Sequence, residues 1–82
     1  MQVSVQFFAQ LREQLGCQRV RIEVTDPASM KDVKDALARH FPDQADVFDS
    51  PLLMACNQQL VDGSHQVNAS DELALFPPVT GG

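Results

Sequence analysis

An α+β fold, with a mixed sheet packed by one face on a single main helix, is predicted by three observations. Segments near both ends of the chain alternate apolar and polar residues with the period of half-buried strands. Between them lies one apolar stripe of helical spacing. The length of 82 residues supports one thin core and no second domain.

The elements follow in order. Val3, Val5 and Phe7 alternate with Ser4, Gln6 and Phe8, which reads as a first strand. Residues 9–15 are good helix formers, and Gly16 supplies the left-handed residue that ends a short helix. Residues 19–24 form a second strand, with Val20, Ile22 and Val24 on one face and Arg19, Arg21 and Glu23 on the other; Thr25-Asp26-Pro27 turns the chain. Ser29 is the expected N-cap of the main helix, whose stripe is Met30, Val33, Ala36, Leu37 and Phe41, and Pro42 stops it.

Residues 42–51 read as an acidic connection. Asp43, Asp46 and Asp49 lack the close spacing and the glycine of a calcium loop, so a solvated face is expected there and no metal site. Residues 52–57 read as a strand, 59–61 as a short extended piece, 62–70 as a loop, and 72–76 as the last strand. Two strand pairs around one helix fit a β-grasp arrangement, with the first and last strands parallel in the middle of the sheet. The domain therefore runs over residues 1–76, and residues 77–82 form a flexible tail.

Composition excludes several functions. A formal charge of -5 opposes binding to the phosphate backbone of nucleic acid. The apolar run at 52–56 is far short of a membrane helix, and the N-terminus lacks a basic segment followed by an apolar one; the expected location is the cytoplasm. Cys17 and Cys56 match no metal or redox spacing and read as free thiols, Cys56 in the core and Cys17 more exposed. His40 and His65 stand 25 positions apart without the partners of a metal site. No nucleophile elbow or glycine-rich phosphate loop is present, and a stand-alone active site is not expected.

The outer sheet face and the C-terminus carry the functional signal. Alternation places Phe8 and Phe76 on the wet face, where neighbouring terminal strands would join them in an exposed apolar patch of the kind that marks interfaces. Arg12 and Leu60 are candidates for the same surface. Pro77 and Pro78 stiffen the exit from the sheet, and six residues at about 3.3 Å each reach about 20 Å. The chain ends Val79-Thr80-Gly81-Gly82. Two glycines, free of Cβ, can thread a narrow slot and present a carboxyl group. A carboxylate is a poor electrophile, so this reach serves chemistry only after a partner activates it, most simply as an acyl adenylate.

Phe7-Phe8-Ala9-Gln10-Leu11-Arg12-Glu13, the Asn57-Gln58 pair before Leu60-Val61, and Leu75-Phe76-Pro77-Pro78-Val79-Thr80-Gly81-Gly82 together resemble the small subunits of molybdopterin synthases, a family of ubiquitin-like sulfur carriers. The resemblance spans the whole chain. It implies the sulfur-donor subunit of a heteromeric sulfurtransferase. A ubiquitin-activating-type enzyme would use ATP to adenylate Gly82, and a sulfur donor protein would convert the adenylate to a thiocarboxylate. The loaded tail would enter the large subunit and give its sulfur to cyclic pyranopterin monophosphate in molybdenum cofactor biosynthesis. A heterotetramer is implied for the complex.

The same resemblance implies roles residue by residue. Gly82 carries the sulfur and Gly81 fits the channel beside it. Phe8, Arg12, Leu60 and Phe76 form the surface for both partners, with Pro77, Pro78, Val79 and Thr80 entering the partner. No cofactor is implied on this chain alone. Ala69-Ser70-Asp71-Glu72 departs from the Asp-Gly-Asp-Glu common in the family, which affects the turn before the last strand. A sulfur carrier for thiazole or cysteine synthesis and a ubiquitin-like protein modifier are the alternatives, since a terminal Gly-Gly is shared with both.

Overall fold

A computed structural model describes residues 1–77. Strand β1 (Gln2–Phe7) leads into helix α1 (Gln10–Leu15), strand β2 (Arg19–Glu23), strand β3 (Ala28–Ser29) and the main helix α2 (Met30–His40). A 3-10 turn (Pro42–Gln44) and helix α3 (Ala45–Asp49) follow, then β4 (Leu53–Cys56), β5 (Gln59–Val61), β6 (Gln66–Val67) and β7 (Glu72–Phe76). The main sheet has the order β2-β1-β7-β4-β5. Its central pair, β1 and β7, is parallel, with Val5 opposite Leu73 and Phe7 opposite Leu75; the other pairs are antiparallel. This is the β-grasp order predicted above.

The core lies between α2 and one sheet face. Val3, Val5 and Phe7 of β1 and Leu73 and Leu75 of β7 are all buried against Met30, Val33 and Leu37. Helix α2 begins where Ser29 closes a capping box: its Oγ accepts from the Asp32 amide at 3.3 Å, and the Asp32 carboxylate accepts from the Ser29 amide at 2.9 Å. Hydrogen bonds donated by the Ser29 amide first, and then by the Ser29 hydroxyl, hold the Asp32 carboxyl below its usual range. Helix α1 ends as expected at Gly16, whose φ of 73° is left-handed. It starts one residue later than predicted, because Ala9 turns the chain at a φ of 55°.

Three segments differ from expectation. The acidic connection is not a plain loop. It folds as the 3-10 turn and α3 because Phe48 closes the end of the core, its ring 6.5 Å from Phe7 and 6.1 Å from Phe41. Asp43, Asp46 and Asp49 remain exposed, one face of that short helical stretch. The loop at 62–70 contains β6, which pairs with β3 through Ala28 opposite Val67 and buries both side chains. The strand expected at 52–57 is confined to Leu53–Cys56, since Asn57 and Gln58 take φ values of 52° and 71° and form a tight turn into β5.

Candidate functional site

The outer sheet face is organised around the β7 end. Phe8 continues the line of β1, and its amide donates to the Leu75 carbonyl at 3.3 Å. Its ring stacks on Phe76 with centroids 4.8 Å apart and planes 13° from parallel. Because each ring covers one face of the other, both are half-buried and not fully exposed as alternation alone suggests. They still face away from the core.

Register extends the patch across the sheet. Gln6, Ala74, Ala55 and Leu60 form one cross-strand row on this face. Leu60 is 69% exposed, an unusual position for a large apolar side chain. Leu53 lies opposite Phe76 and is 37% exposed, so it belongs to the same surface. Sequence reading missed Leu53: it sits inside the unbroken apolar run 52–56, where alternation gives no signal. Its pairing with Phe76 reveals its side. Phe8, Leu60 and Phe76 all line one depression of about 310 Å³. Arg12 is exposed on α1 and is not among its lining residues, so the structure does not bring it to the centre of the patch.

The exit from the sheet is built from both sides. Strand β7 ends at Phe76, and Pro77 lies over a second depression that Gln10 and Leu11 of α1 share with Leu52. Pro78, Val79, Thr80, Gly81 and Gly82, the rest of the expected tail, lie outside the described residues.

A polar lock braces the opposite end of β7. The Asp71 carboxylate accepts from the Asn68 amide at 2.8 Å, from Asn57 Nδ2 at 3.1 Å and from the Cys56 thiol at 3.4 Å. Asn57 Oδ1 in turn accepts from the Glu72 amide at 3.0 Å. This network ties the β4–β5 turn to the start of β7. The Asn68 amide above all, with Asn57 and Cys56, holds the Asp71 carboxyl below its ordinary value. Burial, with the Asp71 contact, pushes the Cys56 thiol up to about 11. Cys56 is therefore buried and protonated near neutral pH, a poor nucleophile and a poor place to carry sulfur.

Among the described residues no group of three or more His, Cys, Asp or Glu could hold a metal ion. Among the same residues no helix is long and apolar enough to cross a membrane. What this arrangement offers is a surface: an apolar sheet face adjoining the point where the chain leaves the fold.

Known proteins share this architecture and this sequence. The molybdopterin synthase sulfur carrier subunit of Escherichia coli (strain K12) is 40% identical over 85 residues, covering 98% of this chain and 99% of that protein. Small archaeal modifier protein 1 of Haloferax volcanii is 36% identical over 83 residues, covering 92% of this chain and 94% of that protein. Its crystal structure matches the full length of both chains with a TM-score of 0.85 at 31% identity. Subunits 1 and 2 of the molybdopterin-converting factor from Helicobacter pylori 26695 have been solved as a complex, in which a chain matches this fold with a TM-score of 0.67 at 23% identity, covering 100% of both chains. The sequence profile of the ThiS family matches residues 5–82. With that profile spanning nearly the whole chain, the chain belongs to the ThiS family.

Proposed function

We propose that this protein is the sulfur-carrier subunit of a molybdopterin synthase. Near-complete alignment with a protein of that name at 40% identity supports the reading. The observation that carries it is the stacked Phe8–Phe76 pair, an apolar feature of the outer sheet face at the root of the segment ending in Gly81-Gly82. A partner that grips this face is positioned to receive the C-terminus.

The chemistry follows from what a terminal carboxylate lacks. An adenylating partner joins the Gly82 carboxylate to the α-phosphate of ATP and releases pyrophosphate. A sulfur nucleophile then displaces AMP and leaves a thiocarboxylate. Docked on the large subunit, the thiocarboxylate delivers sulfur to the pterin precursor and the carboxylate is regenerated by water. Gly81 serves as the residue that passes a narrow entrance. This chain supplies the docking face and the carrier atom, and its partners supply the ATP and pterin sites. The complex in the Helicobacter pylori structure supports a large-subunit partner.

A reconstituted assay with activating enzyme, ATP, sulfide source, large subunit and precursor tests this reading. Deleting Gly82 is expected to abolish sulfur transfer while the melting temperature stays unchanged. Product formation by the deletion variant at the normal rate would refute it. The similarity to small archaeal modifier protein 1 of Haloferax volcanii gives weaker support to a second reading, a protein modifier that would be joined to lysines. That reading requires an isopeptide-linked ladder on a denaturing gel when the chain is expressed with its activating enzyme.

A further inference from the structure

Strand β5 is held at its two ends and hardly at all by burial. It is the outermost strand of the sheet, three residues long, and pairs with β4. Gln59 is exposed, Leu60 is largely so, and only Val61 packs partly against the core. A strand that buries so little apolar area gains little fixity from packing. Its C-terminal end runs into a loop whose Gly63 and His65 carbonyls accept from the Lys31 and Met30 amides, both at 2.9 Å, which ties that end to the first turn of α2. Its N-terminal end is the Asn57-Gln58 turn, and there the tie is the Asn57 side chain.

Asparagine suits this place on two counts. The φ of 52° lies in the left-handed region that asparagine tolerates better than most residues. Its carboxamide meets a donor and an acceptor at once: Oδ1 accepts from the Glu72 amide at 3.0 Å, and Nδ2 donates to the Asp71 carboxylate at 3.1 Å. Asn57→Asp keeps the first bond but sets a second carboxylate against Asp71, whose other oxygen is held by the Asn68 amide at 2.8 Å. Donor and acceptor can, however, be exchanged across the contact. In the double variant Asn57→Asp/Asp71→Asn, the carboxylate accepts from the Glu72 amide and from the new Nδ2, while the new Oδ1 accepts from the Asn68 amide.

We propose that Asn57 and Asp71 are positioning residues for β5: the bond between their side chains fixes where this exposed strand lies and so presents Leu60 to the large subunit. The proposal rests on the sulfur-carrier reading and adds the groups that hold the presenting strand in place. A lock of this kind acts locally. Breaking it loosens β5 more than the core, whereas a change that lowers overall stability loosens both together.

The test is amide hydrogen exchange, with calorimetric titration against the large subunit of molybdopterin synthase, for the unaltered chain, Asn57→Asp and the double variant. Asp35→Gly, at an exposed position of α2 whose ion pair is with Lys31, lowers overall stability through the helix and is the control. Asn57→Asp is expected to speed exchange of the protected β5 amides about tenfold more than that of β1 amides, and to weaken binding about tenfold. The double variant is expected to restore both to within about threefold, and Asp35→Gly to leave affinity unchanged. Should Asn57→Asp not fold, Asn57→Gly, which suits the left-handed turn and removes both side-chain bonds, takes its place. A folded single variant with unchanged affinity, or with β5 loosened no more than β1, overturns the proposal and leaves the sulfur-carrier reading standing. A double variant no better than the single one does the same. No binding by the unaltered chain overturns both.

Discussion

At the scale of single residues, the proposed docking face and the core can be separated by experiment. Phe76 stacks on Phe8 but takes no part in the buried cluster under α2. Phe76→Ala is therefore expected to weaken binding to the large subunit by tenfold or more, as removal of a central aromatic anchor does, with a melting temperature lowered by only about 4–8 °C. Unchanged affinity with a larger thermal loss would place the ring in the core. Asp71 gives a pH signature. Its folded-state pKa is depressed, chiefly by the Asn68 amide, so its contribution is present above the unfolded value of 3.8 and is lost as pH falls through the lower folded value. Asp71→Asn should flatten the fall in melting temperature on acidification below about pH 4. Asp32 and Asp62 are lowered in the same direction and keep part of the slope. An acid limb identical to that of the unaltered protein would show the Asp71 network to be energetically silent.

At the scale of elements, legibility tracked periodicity. Strands β1, β2 and β7 and helix α2 announce themselves because each buries one face and exposes the other, and the Ser29 cap marks a boundary through its side-chain chemistry. Helix α3 was hidden because it has five residues and contributes one fully buried side chain, Phe48, so no stripe can repeat. Strand β6 was hidden for a similar reason: two residues pair with β3, and the partner lies far away in sequence. The outer sheet face divided in the same way. Phe8 and Phe76 were placed by alternation, whereas Leu53 required the register between β4 and β7. The importance of α3 can be measured. Phe48→Ala is expected to cost about 3–5 kcal/mol. A domain of this size holds about 4–12 kcal/mol in all, so the variant should unfold at a much lower urea concentration or fail to fold. A shift of under about 1 kcal/mol would mean that α3 merely covers a core already closed by Phe41.

At the scale of the whole molecule, the two sides of the sheet have separate duties. The helical side builds the core, while the outer side is apolar around the C-terminal end of β7. Cys56 is held buried and protonated, and the proposed place for sulfur is the C-terminal carboxyl. That assignment is the central claim. Its most direct test is the intact mass of the chain after incubation with ATP, the adenylating enzyme and a sulfide source, followed by fragmentation of the C-terminus. The account predicts replacement of one oxygen by sulfur, located at Gly82. Sulfur found on Cys17 or Cys56, or no mass change with an activating enzyme shown to be active, would contradict it.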